Sequence, residues 1–148
     1  MVNLHSLTDR EILFLTLIGE TRGEPIEGQV AVGCVIRNSF HSNNTKYKTW
    51  ADVCLEPKQF SCWNENDPNR AMLVEIAEQM QFGKVPNDAS AKQCRVIANA
   101  IISWDFIDNV HGAKNYLTKA LYNSDDKPSW AKNPKKVYEH GNQVFLVI

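Results

Sequence analysis

Residues 12–18 are apolar at every position except Thr16, and the run leads to a carboxylate, Glu20, just ahead of Gly23 and Pro25. A helix over this run would be apolar nearly all round, which places it inside a core rather than on a surface. Glu20 prolongs the stripe Leu13, Leu17 at the spacing that keeps one helical face. Past the two breakers a second apolar segment begins. Burial would disfavour the ionised form of Glu20, and the negative end of the helix dipole adds a smaller push the same way. A carboxyl kept protonated near neutral pH is what a general acid for glycoside cleavage requires. The competing reading is a surface acid at a fraying helix end, paired with Arg22 or Arg37.

Local signals set the boundaries. Thr8 with Glu11 reads as a capping box, so the first helix is predicted over 9–21. Pro25 moves the residue before it out of the α region and suits the first turn of a second helix over 26–40. That helix buries Val30, Ala31, Cys34, Val35 and Asn38. Gly28 and Gly33 weaken it by roughly 1 kcal/mol each relative to alanine, a cost that close approach to a neighbouring helix or a bound sugar would explain. A loop is expected over 41–48, a short helix over 49–55, an extended segment over 58–63 and a loop over 64–69. Two more helices are predicted over 70–82, with Leu73, Ile76, Ala77 and Met80 inward, and over 91–107, with Ala91, Cys94, Ile97, Ala98, Ile101 and Ile102 inward. After Gly112 the pattern is irregular, and only 143–148 reads as a strand. The expected class is mainly α with a small β element, in one domain over 1–148.

Charge narrows the partners. With a formal net charge of -1, the chain lacks the basic surface that phosphate neutralisation demands, so nucleic acid is excluded as the partner. Lys127, Lys132, Lys135 and Lys136 form a local basic cluster, read as a solvated face. The run at 12–18 is too short for a membrane span and follows Asp9-Arg10-Glu11, which is no signal-peptide leader. The expectation is therefore synthesis in the cytoplasm without a signal, and a monomer. Cys34, Cys54, Cys62 and Cys94 make no C-x-x-C pair and are expected as buried free thiols, with two disulfides as the alternative in an oxidising compartment.

The block Gly19-Glu20-Thr21-Arg22-Gly23-Glu24-Pro25, followed by Gly28-Gln29-Val30-Ala31-Val32-Gly33 and Val35-Ile36-Arg37-Asn38, resembles the opening of SleB-like cell-wall hydrolases. That family comprises spore-cortex-lytic enzymes and their phage relatives. Gln59-Phe60-Ser61-x-Trp63, Gly112-Ala113-x-x-Tyr116 and Pro128-x-Trp130-Ala131 extend the likeness in order along the chain. The resemblance implies a lysozyme-like fold, cleavage of the MurNAc–GlcNAc β-1,4 bond of peptidoglycan, and Glu20 as the catalytic acid. It implies a lytic transglycosylase outcome, with a hydrolytic muramidase as the alternative. With neither a signal nor a separate wall-binding module read in the sequence, a phage endolysin role is the expectation. Two positions depart from the family pattern: Ser39, where arginine is usual, and Gln143, where a histidine is usual.

Other candidates follow from residue chemistry. Glu24 is a candidate second carboxylate, with an ion pair to Arg22 or Arg37 as the alternative. Gln59, Ser61, Tyr116 and Trp130 are candidate substrate contacts, because sugars pair polar edges with apolar faces. The alternative for the aromatics is a place in the core. Ser61-Cys62-Trp63 echoes papain-like peptidases, with His111 and His140 downstream, but the upstream Cys-Gly is missing. His5, His41, His111 and His140 are scattered, with no H-E-x-x-H or comparable ligand pair, so a zinc amidase and its metal site are not expected, and glycoside cleavage by an acid needs no cofactor. A non-catalytic glycan-binding module would keep the aromatics without needing Glu20.

Overall fold

The computed structural model describes residues 2–42 and 46–148. Helix α1 (Asp9–Thr21) opens on the expected capping box: Glu11 N donates to Thr8 Oγ1 (3.2 Å) and Thr8 N to Glu11 Oε1 (2.9 Å). Around it pack α2 (Ile26–Phe40), α3 (Trp50–Cys54), α4 (Pro68–Met80) and α5 (Ala89–Ile102). A helix with four helical neighbours has no face for water, which is why the run at 12–18 is apolar all round and wholly buried. Thr16, the polar exception, is satisfied: its hydroxyl donates to Ile12 O (2.7 Å) and accepts the Trp63 indole N–H (3.0 Å).

Several boundaries differ from expectation for local reasons. Pro25 caps α2 from outside instead of filling its first turn, and Asn38 is only half-buried. Within α2, Gly33 admits α5 closely, since a Cβ there would lie 2.9 Å from Ile101 Cγ1. Gly28 has ordinary clearance, so close approach does not account for it. Helix α4 begins at Pro68, ahead of the predicted 70, because the Asp67 carboxylate accepts from Asn69 N (2.8 Å) and proline suits the first helical position. Leu73 and Ala77 are buried in it, while Ile76 and Met80 are half-buried.

Asp88 caps α5, which stops at Ile102, over a turn before the predicted 107, with Ile102 half-buried. Trp104 adopts φ 61°, a left-handed conformation that cannot continue a helix. The Arg37 guanidinium lies 4.3 Å over the Trp104 ring and donates to Phe106 O (3.4 Å), so contacts from α2 shape this turn. The segment 58–63 is not extended: it turns into a short 3-10 helix, Ser61–Trp63. The predicted loop 41–48 includes residues 43–45, which lie outside the described residues.

The remaining chain holds a three-stranded antiparallel sheet in the order β1-β3-β2, from β1 (Asn115–Thr118), β2 (Lys136–His140) and β3 (Gln143–Val147), with a one-turn helix α6 (Lys119–Tyr122) after β1. Only β3 was expected. It is the central strand and buried on both faces, so it carries the apolar run, while the short edge strands contain Lys, Asn, Glu and His. Tyr116, Phe145 and Tyr138 pair across the sheet and face the helical core, whereas Leu117, Val144 and Leu146 pack with Ala131 on the other side.

Candidate active site

Glu20 leaves the last turn of α1 half-buried, and three donors converge on its carboxylate. Cys62 N–H (3.0 Å) and Ser61 Oγ–H (3.3 Å) reach Oε2, and the Tyr116 hydroxyl (2.5 Å) reaches Oε1. The acid therefore ties α1 to the Ser61–Trp63 turn and to β1, segments far apart in sequence. Neither arginine of the competing reading is its partner. Arg37 is buried against Phe106 and Trp104, and Arg22 Nη1 rests 3.6 Å from Met72 Sδ.

Gly19 makes this corner possible. A Cβ at Gly19 would stand 2.7 Å from Cys62 Cβ and 2.8 Å from Leu73 Cδ1, closer than real Cβ contacts come. Its hydrogen lets the Ser61–Trp63 turn settle onto α1, so that the Cys62 amide reaches the Glu20 carboxylate. Trp63 fixes the other end of that turn through Thr16, and Arg70 Nη1 donates to Trp63 O (2.7 Å).

The third donor is placed by a longer chain of contacts. Asn38 Nδ2, on α2, donates to Asp108 Oδ2 (3.1 Å) and to Ala113 O (3.0 Å). Asp108 in turn accepts from Val110 N (2.9 Å) and Gly112 N (2.7 Å). These bonds brace the loop that feeds β1, where Tyr116 pairs with Phe145 and its ring lies 5.3 Å from the Phe145 ring. Burial first, and the Glu20 charge second, push the Tyr116 phenol well above its ordinary range, so it stays a proton donor to the carboxylate.

Beside this corner opens a cleft of about 290 Å³ lined by Val35, Lys58, Gln59, Phe60, Lys114, Asn115, Tyr116 and Trp130. Three expected substrate contacts, Gln59, Tyr116 and Trp130, thus share one wall system, and Ser61, the fourth, sits on Glu20 itself. Gln59 and Trp130 are exposed, whereas Phe60 and Trp63 are core residues. Lys58, Lys114 and Asn115 were not expected. Lys114 and Asn115 occupy the two unassigned places of Gly112-Ala113-x-x-Tyr116, and Lys58 directly precedes Gln59, so proximity to the motifs was the available signal.

Glu24, the candidate second carboxylate, is engaged with the sheet. Its Oε1 accepts from Asn142 N (3.1 Å) and its Oε2 from Asn142 Nδ2 (3.4 Å), and it does not line the cleft. It pins the β2–β3 turn to the α1–α2 junction, and its partner is Asn142 rather than Arg22 or Arg37. Gln143, where the family pattern has histidine, is buried at the start of β3 and also lies outside the cleft lining. Ser39 lies on α2 with its carbonyl bonded to Ser42 Oγ (2.9 Å).

The peptidase reading fails on geometry and charge. Cys62 is 1% exposed, and burial together with the neighbouring Glu20 carboxylate pushes its thiol well above the ordinary range. A thiol held protonated is a poor nucleophile. His111 stacks on Tyr138 (4.8 Å between rings) and His140 Nε2 bonds to Asn109 O (3.0 Å), so neither histidine serves Cys62. All four cysteines are buried free thiols, and no cluster of three His, Cys, Asp or Glu side chains is placed to hold a metal among the described residues. No helix among them is long and apolar enough to cross a membrane.

Residues 23–146 match the family described as Cell Wall Hydrolase, which covers most of the chain. The chain belongs to this cell wall hydrolase family, of the SleB-like kind. It is 30% identical over 144 residues, 95% of its length, to a spore cortex-lytic enzyme of Oceanobacillus iheyensis, and spans 42% of that relative. Among solved structures it is similar to the catalytic domain of the germination-specific lytic transglycosylase SleB from Bacillus anthracis, with TM-score 0.62, 23% identity and 99% of both chains covered. The Bacillus cereus SleB catalytic domain matches with TM-score 0.59 and 23% identity over 93% of this chain and 88% of that one. The fold is accordingly the lysozyme-like α+β type, and the family's class of activity is degradation of the bacterial cell wall. The matched span begins just after Glu20, so the part of that residue rests on geometry.

Proposed function

We propose that this chain cleaves the MurNAc–GlcNAc β-1,4 bond of peptidoglycan as a lytic transglycosylase, with Glu20 as its one catalytic acid and base. The supporting observation is a carboxylate fixed by three donors, one of which, Tyr116, also walls the adjoining cleft. In this mechanism protonated Glu20 gives its proton to the glycosidic oxygen as the C1–O bond breaks. The carboxylate so formed takes the proton of the same sugar's 6-hydroxyl while O6 bonds to C1, closing a 1,6-anhydro ring. Cys62 N–H, Ser61 and Tyr116 then hydrogen-bond to a full negative charge, and such charge-assisted bonds are about twice as strong as neutral ones. Those donors favour the state reached after proton transfer, which lowers the barrier to reaching it. Trp130 and Tyr116 offer apolar surface to sugar faces, and Gln59 an amide to hydroxyls.

The four free thiols fit synthesis in a reducing cytoplasm, and release to the wall once the membrane is breached is part of the proposal, as for an endolysin. Tagged protein found outside intact, unlysed cells would count against that route. The chemistry is tested by digesting purified peptidoglycan with wild type and Glu20→Gln and taking mass spectra of the soluble fragments. Ends bearing 1,6-anhydroMurNAc, absent with the variant, are the expected result. Reducing MurNAc ends, again lost with the variant, would make water the acceptor and the enzyme a muramidase. Cut peptide stems on intact glycan would sink the glycosidase assignment.

A further inference from the structure

Lys58 and Lys114 line the cleft from two separate segments, the turn before Ser61–Trp63 and the approach to β1. The other lining residues are neutral, so the cleft carries two positive charges in a chain whose net charge is -1. Neither lysine forms an ion pair among the described residues, where the lysines so paired are Lys46 and Lys119. Unpaired charges of one sign in a concave, partly apolar site concentrate their field on whatever enters. Lys58 adds a second kind of observation. Its φ is 68°, a left-handed conformation that a side-chain-bearing residue adopts at a cost and glycine adopts freely. Strain of this kind gathers at ligand-binding positions.

We infer that Lys58 and Lys114 are specificity residues that recognise a carboxylate on the glycan, so that the cleft selects muramyl units carrying a free carboxyl group. This rests on the glycosidase reading above. A muramyl unit offers that group in two ways, as the lactyl carboxylate when the peptide is absent or as carboxylates of the peptide stem when it is present. Lysine ammonium groups are compact point charges, suited to either without a fixed fork geometry. Tyr116 walls the same cleft and bonds to Glu20, so a carboxylate held by the lysines sits along the groove that leads to the acid.

The test compares wild type, Lys58→Gln, Lys114→Gln and the double variant on three forms of one peptidoglycan. These are the intact material, material stripped of stems by an amidase, and material whose carboxylates are capped as methylamides. The readout is the ratio of kcat/KM on each carboxylate-bearing form to that on the capped form. Two solvent-exposed ion pairs correspond to a ratio about five- to tenfold above that of the double variant, shrinking at high salt. A preference confined to intact material assigns the stem carboxylates, and one that persists after stripping assigns the lactyl group. Lys58→Gly separates recognition from folding, because it relieves the backbone and should keep the melting temperature while losing the preference. Equal ratios for wild type and the double variant, with cleavage intact, would overturn this inference alone. No cleavage of any form by wild type would remove the glycosidase reading and this inference with it.

Discussion

The corner around Glu20 and the rim of the adjoining cleft are held by different means. At the corner, α1, the Ser61–Trp63 turn and β1 are locked together by core packing, by the clearance at Gly19 and by three hydrogen bonds to one carboxylate. On the rim, Lys58, Gln59, Lys114 and Trp130 stand exposed, carried by turns and a 3-10 segment. A group that transfers protons must stay within hydrogen-bond reach of its target, and rigid neighbours supply that. Side chains that grip a polymer need reach more than rigidity, and loops suffice. Under the proposed function, changes at the corner strike turnover or folding, and changes at the rim strike substrate affinity.

The hardest blow should come from Glu20→Gln, which keeps shape but cannot shuttle a proton. We expect kcat on peptidoglycan to fall by about a thousandfold or more with the melting temperature nearly unchanged, a loss in the range for acid–base catalysis. Residual activity above a tenth of wild type would break the assignment. Next is Gly19→Ala. The added methyl meets Cys62 and Leu73, so we expect a loss of about 1–3 kcal/mol in urea unfolding and reduced turnover as the Cys62 amide is pushed off Glu20. Wild-type stability in this variant would mean that the corner yields easily.

Tyr116→Phe removes one donor and keeps the ring, and kcat should drop about tenfold, roughly 1.4 kcal/mol, while KM stays close to wild type. A pure KM effect would move Tyr116 from the corner to the rim. Trp130→Ala should do the reverse, raising KM about three- to tenfold on its loss of stacking surface. The gentlest test uses pH. Burial raises the Cys54 thiol to about 12 and Cys62 higher still, while an unfolded thiol titrates near 8.5. Their contribution is therefore complete below about pH 8.5 and fades as pH rises above it, by roughly 0.7 kcal/mol for each thiol between pH 8 and pH 9. Urea midpoints that stay flat over that interval would show that the α1–α3–turn packing admits water.

Legibility in the sequence followed the range of the forces. Capping chemistry at Thr8 acts within four residues, so the start of α1 is readable. The end of α5 is not, because it depends on Arg37 reaching Trp104 and Phe106 from another helix. Strands β1 and β2 leave no such pattern because edge strands bury little on their own and their apolar signal sits in the partner, β3. At the site, motif blocks pointed to Glu20, Gln59, Ser61, Tyr116 and Trp130, all of which lie at the corner or on the cleft. Glu24 stood in the same block and turned out to serve the β2–β3 turn, a partner 118 residues away that no local pattern reveals.

By itself, the sequence determined that α1 would be a buried helix with an acid at its end, since apolar periodicity, caps and breakers are properties of adjacent residues. Only the tertiary structure decided what meets that acid. Hydrogen-bond donors from positions 61, 62 and 116 reach Glu20 because Gly19 leaves room for a turn to close in and a braced loop delivers β1. Hydrogen bonds act over about 3 Å, and chain separations of 41 to 96 residues are brought within that range by packing alone.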